Sequence, residues 1–170
     1  MAIVDRFEAG IAAAGRGATM LQLRMPGQAA RSLEAVAGRL VDQAGLPVVV
    51  SSRADVALAC GAAGVNLPER DLPVSAARRL LGTSRLVGRS VHDLPGALAA
   101  AADGASFVLL GPVFDTPTHP DRPGTGLGVL ASVAAALSIP VLAVGGVDAS
   151  RVRACLGAGA AGHAAIRMYS

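Results

Sequence analysis

Three groups of residues in this chain have the type and setting to do chemistry. His92 closes the run Gly88-Arg89-Ser90-Val91; an imidazole just past an apolar run can exchange protons near neutral pH, as general acid–base catalysis requires. Gly145-Gly146 follows the apolar Val141–Val144 and precedes Asp148 and a helical stretch, so its backbone N–H groups can approach an anion closely. Polar residues also gather at the ends of other short apolar runs: Gln22 and Arg24, Ser51 and Ser52, Asn66, Ser90, and Arg167. Thr116, Thr118 and His119 lie between Asp115 and Gly124, a polar, proline-rich segment long for a connection and therefore a candidate lid. His163 sits in an apolar run and reads as a core or barrel-lining histidine.

Composition removes several alternatives. A chain of 170 residues with 52% apolar content forms one domain, 1–170, with a buried core. A net charge of +3, with three Phe and one Tyr to stack on bases, argues against a nucleic-acid partner. All fifteen cationic residues are Arg, which excludes Schiff-base catalysis and a P-loop, since both need the amine of Lys. Cys60 and Cys155 are isolated, with neither metal-ligand spacing nor a disulfide framework, and the cytoplasm is the expected compartment. Gly124–Val147 is uncharged and long enough on paper to span a bilayer, but its glycines and Pro140 divide it into a helical and a β-like part. No membrane association is expected, and Met1–Gly17 carries too many charges for a signal peptide.

The elements that must position these residues alternate. Strands are expected at Thr19–Arg24, Pro47–Ser51, Gly64–Leu67, Leu86–Ser90, Phe107–Gly111, Val141–Val144 and Gly162–Ile166. Helices are expected at Val4–Ala14, Ala29–Ala44, Ala54–Cys60, Val74–Leu81, Leu94–Ala102, Leu127–Leu137 and Ser150–Ala158. Asp71 and Asp93, each with Pro two residues later, read as helix caps. Such alternation means an α/β fold with a parallel sheet, closed either as a doubly wound sheet or as a (β/α)8 barrel. With seven strands, the first strand and last helix of a barrel are expected to be missing. Two sheet edges would then be exposed, and a homodimer covering them is the expected assembly. Gly157-Ala-Gly159-Ala-Ala-Gly162 matches a dinucleotide fingerprint in letters only, because here the glycines close a helix instead of opening one.

Six motifs in order complete the reading: Gln22-Leu-Arg24-Met-Pro26, Ser51-Ser52-Arg53-Ala-Asp55-Val-Ala57, Gly64-Val-Asn66-Leu-Pro-Glu-Arg-Asp71, Gly88-Arg-Ser90-Val-His92, Gly111-Pro-Val-Phe114-Asp-Thr116-Pro-Thr118-His119, and Val144-Gly145-Gly146. Together they resemble the thiamine-phosphate synthase and TenI family of (β/α)8 barrels over nearly the whole chain. For a synthase, the resemblance implies transfer of a hydroxymethylpyrimidine from its pyrophosphate to a thiazole phosphate, with Mg²⁺. The lysines and the aspartate of that chemistry are replaced here by Pro26, His119 and Ser52, and Asp71 alone remains for a metal. For the TenI branch, it implies a metal-free tautomerase with no cofactor, in which His92 moves a proton on a carboxythiazole phosphate. Gln22, Arg24, Ser51, Asn66, Ser90, Thr116, Thr118 and His119 would then line the substrate pocket. Gly145, Gly146, Ile166 and Arg167 would hold the phosphate. The departures favour the tautomerase, with the synthase second and a non-catalytic or regulatory barrel third.

Overall fold

The computed structural model describes residues 1–117 and 123–169. Eight strands alternate with seven helices: β1 (Ala2–Val4), α1 (Phe7–Gly15), β2 (Leu21–Leu23), α2 (Ala30–Gln43), β3 (Val48–Ser51), α3 (Ala54–Ala59), β4 (Gly64–Leu67), α4 (Val74–Leu81), β5 (Leu86–Val91), α5 (Leu94–Ala102), β6 (Phe107–Leu110), α6 (Gly126–Ala136), β7 (Val141–Val144), α7 (Ala149–Gly157) and β8 (Gly162–Ala164). The strands lie in sequence order and each pairs in parallel with the next. A parallel bridge from Ala2 to Ala165 joins the two ends, reinforced by Ile3 N–H donating to the Ala165 carbonyl at 2.9 Å. The fold is a (β/α)8 barrel.

The first strand is therefore present, against the expectation of seven. Ala2-Ile3-Val4 is three residues long and runs through Asp5 and Arg6 into another apolar stretch, so its letters read as the start of a helix. In the structure that helix begins only at Phe7. Both sheet edges expected to be open are paired, and the stated reason for a covering homodimer falls away. Beyond β8 the described chain makes a short 3-10 turn, Arg167–Tyr169, and no α-helix. Asp93 caps α5 as expected, accepting from Gly96 N–H at 2.8 Å. Asp71 does not cap α4, whose cap position is Pro73; its carboxylate accepts instead from Leu72 N–H at 2.6 Å.

Side chains on each strand alternate between two environments, as the pleat dictates. Leu21, Leu23, Val48 and Val50 pack outward with Leu33, Ala37 and Leu40 of α2. Val49, Phe107, Leu109, Ala164 and Met1 form a separate apolar cluster inside the barrel. Fully buried alanines at 13, 37, 57, 77 and 97 bring the helices close to the sheet. No helix among the described residues is long and apolar enough to cross a membrane.

Candidate active site

Above the apolar cluster the interior turns polar. Gln22 and Asn66 are 3% and 2% exposed, the two buried polar side chains of the described interior. Gln22 Nε2 donates to Ser51 Oγ at 2.7 Å, and Asn66 Nδ2 donates to Ser90 Oγ at 3.1 Å. One amide oxygen of each, Gln22 Oε1 and Asn66 Oδ1, is buried without a protein partner. Buried polar atoms are costly when unpaired, so this layer is suited to a ligand that brings hydrogen-bonding groups.

At the end of β7 the chain needs two glycines. Gly145 and Gly146 have φ of +87° and +65°, a region that side-chain-bearing residues rarely adopt. A Cβ on Gly145 would stand 2.5 Å from Pro112 Cα, and one on Gly146 would stand 2.7 Å from Phe114 Cβ. The turn is braced from behind: Arg151 Nη1 donates to the Gly146 carbonyl at 2.7 Å while its guanidinium lies over the Phe114 ring. Asp148 caps α7, accepting from Arg151 N–H at 3.1 Å. Hydrogen bonds from Ser150 and Arg151 hold the Asp148 carboxyl below its usual range.

His92 stands immediately after β5. Its Nδ1 bonds the Gly111 carbonyl, and because a carbonyl can only accept, Nδ1 carries the hydrogen. Nε2 lies 3.5 Å from Glu69 Oε2, on the connection between β4 and α4. His163 stacks on Tyr169 and its Nε2 is 3.1 Å from the phenol oxygen. Burial, and secondarily the terminal ammonium, push its imidazole below the usual range, in keeping with a barrel-lining residue.

These pieces meet in a cavity of about 230 Å³ at the C-terminal ends of the strands. Of the residues picked out from sequence, Gln22, Arg24, Ser90, His92, Thr116, Gly145, Gly146, Ile166 and Arg167 line it. Ser51 and Asn66 do not reach it directly; each sits behind, bonded to Gln22 or Ser90. Thr118 and His119 lie outside the described residues. The sequence reading missed Gly111, Pro112 and Val147, and the apolar Ile3, Leu109, Val144, Ala164 and Ala165. Ile3 could only be found by recognising β1. Glu69 was also missed, since nothing in its spacing tells that it reaches His92. Arg24, Arg167 and His92 bring cationic or proton-bearing groups to the cavity, and no carboxylate is among its described lining residues. A concave site lined by two guanidiniums attracts anions.

Among the described residues, the Mg²⁺ implied for a synthase finds only Asp71 of its ligand pattern. Asp71 engages Leu72 N–H, and Ser52 stands where the resembling pattern has aspartate. Among the described residues no three His, Cys, Asp or Glu side chains gather as a metal site. Ser52 is also the single non-glycine residue with positive φ among the described residues, +67°, a backbone outlier of the kind that clusters near functional sites.

Comparison with known proteins agrees with this architecture. The family model described as thiamine monophosphate synthase matches residues 3–168. A thiamine-phosphate synthase of Methanoculleus marisnigri is 43% identical over 160 residues, covering 92% of this chain and 75% of that protein. One from Anaeromyxobacter dehalogenans is 46% identical over 153 residues, covering 88% and 69%. The solved structure of a thiamine phosphate pyrophosphorylase from Pyrococcus furiosus superposes with a TM-score of 0.90 at 31% identity, covering 99% of this chain and 86% of that one.

Proposed function

The chain belongs to the thiamine monophosphate synthase family, and from that premise we propose that it is a transferase that joins a hydroxymethylpyrimidine, carried as its pyrophosphate, to a thiazole phosphate. The observation that carries the proposal is the cavity itself: Arg24, His92, Arg167 and the Gly145-Gly146 turn surround one space with no carboxylate among its described lining residues. The relatives carry the synthase name, and that reverses the order in which sequence departures alone ranked the two activities.

In this reading the thiazole phosphate lies against Gly145, Gly146 and the Ile166–Arg167 turn, where backbone N–H groups and a guanidinium meet its oxygens. The pyrimidine faces Gln22 and Ser90, with Ser51 and Asn66 fixing those side chains from behind. Gln22 Oε1 then finds a donor on the ring's exocyclic amine. Thr116, at the cavity wall, adds its hydroxyl to the ligand contacts. As the bond from the pyrimidine methylene carbon to the pyrophosphate oxygen breaks, negative charge grows on the departing group. Arg24 and His92 donate to it, which is worth most in a site that excludes water. The thiazole nitrogen then forms the new carbon–nitrogen bond. No step is routed through a metal, for which no carboxylate set gathers among the described residues. The reaction belongs in the cytoplasm.

A second reading rests on one specific observation. His92 is presented to the cavity with Nδ1 fixed on Gly111 and Nε2 left as the nitrogen that can exchange a proton with a ligand carbon, which is what a metal-free tautomerisation of a carboxythiazole phosphate needs. Product analysis separates the two. A coupled product from pyrimidine pyrophosphate and thiazole phosphate supports the transferase. Conversion of the carboxythiazole phosphate alone, with no coupling, replaces it by the tautomerase. Absence of both, with no thermal stabilisation by either phosphate, would overturn both readings.

A further inference from the structure

The pairing of Glu69 with His92 was not anticipated by any motif, and it has a structural cause. Glu69 lies on the β4–α4 connection between Pro68 and Pro73, which restrict the backbone on either side. Arg89, on β5, clamps this connection: Nη1 donates to the Pro68 carbonyl at 2.5 Å and Nη2 to the Leu72 carbonyl at 2.9 Å. Nη1 also reaches the carbonyl of Glu69 itself at 3.5 Å. The clamp holds the backbone that carries the carboxylate, and Oε2 reaches to 3.5 Å from His92 Nε2. Glu69 is about half exposed, so the carboxylate has solvent on its far side.

The other charged groups nearby are differently engaged. Arg24 and Arg167 share the cavity, Asp93 caps α5, and Asp71 accepts from Leu72 N–H. Glu69 is thus the carboxylate within ion-pair reach of the ring among the described residues.

We propose that Glu69 is a positioning residue that acts through His92. With the Gly111 carbonyl it holds the ring from both nitrogens, Nδ1–H on the carbonyl and Nε2 beside the carboxylate, so that the Nε2 edge stays at the cavity where substrate exchanges a proton with it. Nδ1–H stays on Gly111 throughout. When the Nε2–H bond breaks and the proton passes to a departing oxygen or a ligand carbon, a solvent proton re-forms the N–H bond on Nε2 while the Glu69 carboxylate keeps the ring in place. Arg89 serves the same end from outside the barrel by keeping the connection in place. The arrangement resembles in logic a carboxylate that orients a catalytic imidazole and stabilises its protonated form.

The inference rests on the reading that His92 faces substrate, and two measurements separate the fates of the two. In the ligand-free protein, Glu69→Ala should move the ring-nitrogen NMR signals of His92 and leave those of His163 in place. Unmoved His92 signals overturn the inference whatever the activity. In turnover, Glu69→Ala should lower kcat on the order of tenfold with KM changed less than about twofold, and formate should restore part of the loss. A loss that formate does not restore, or one confined to KM, overturns it. If His92→Asn cuts turnover and Glu69→Ala does not, the inference fails while the reading of His92 stands. If neither matters, both fail.

Discussion

The floor and the rim of the barrel interior are built by opposite rules. At the floor, Met1, Val49, Phe107, Leu109 and Ala164 fill the space with apolar atoms, and Gly88 is small because a Cβ there would run into the Phe107 ring. At the rim, the same strands deliver amides, hydroxyls, an imidazole and two guanidiniums, with two buried amide oxygens left unpaired. A floor of that kind is stabilised by burial and dispersion. A rim of that kind costs folding free energy that hydrogen bonds from water or a ligand offset. The contrast teaches that stability and binding are separable here by height along one strand: on β5, Gly88 makes room for the floor while Ser90 and His92 two and four residues on serve the rim.

The sharpest way to test that separation is at the rim. His92→Asn should reduce turnover by about 10²- to 10⁴-fold, the usual range for losing a positioned acid or base. Its melting temperature should stay within a few degrees of the parent, since the ring is partly exposed. Unfolding together with inactivity would break the comparison.

Next in size is the floor. Phe107→Ala should cost about 3–5 kcal/mol of stability, as removing a buried ring without collapse of the surroundings does; Phe107 is 5% exposed. Denaturant titration gives the loss. If the variant remains folded, its affinity for thiazole phosphate should change little, and a large loss of affinity would show that floor and rim are coupled. Smaller again is Gly146→Ala. It places a Cβ at positive φ and 2.7 Å from Phe114 Cβ and the Asp115 carbonyl, which should cost roughly 1–2 kcal/mol. Isothermal titration should find phosphate binding about tenfold weaker, while turnover at saturating ligand stays near the parent value.

How far the sequence alone reaches follows the same division. Outward-facing strand residues such as Val48 and Val50 alternate with inward ones and are bounded by helices of clear apolar pattern, so β2 to β8 and all the helices were legible to within a few residues. β1 was not, because three apolar residues beside a helix of similar letters carry no period of their own. At the rim, residues attached to strand ends were legible because parallel strands bring all such ends to one face; of Gln22, Ser51, Ser90, His92 and Gly146, all but Ser51 share one cavity, and Ser51 sits behind Gln22. Contacts made across connections were not. The reach of Glu69 to His92 depends on how Arg89 holds two carbonyls, and the support of Gln22 by Ser51 depends on register between β2 and β3. Neither leaves a mark in spacing. Asp71 shows the converse: a residue with the right spacing for a cap spends its carboxylate on the next N–H instead.

The smallest expected effect lies at the barrel seam and is a pH dependence. Burial, then repulsion from the terminal ammonium, lowers the His163 imidazole from its ordinary value of 6.5. The folded chain therefore binds this proton less readily than the unfolded chain does, and the unfolded state gains protons first as pH falls. The stabilisation is fully present above pH 6.5 and is lost as pH drops through the folded value. Tyr169 Oη lies 3.1 Å from Nε2, and a phenol both donates and accepts, so this contact survives in either charge state and burial sets the sign. Denaturant titrations at pH 8 and pH 5.5 should show the parent losing stability between them and His163→Gln losing less. Because the ring is only partly buried, the difference should be well below that of the Phe107 substitution. An equal loss in both proteins would assign the acid sensitivity to carboxylates elsewhere, and a gain in the parent at low pH would mean that the ring is charged in the fold.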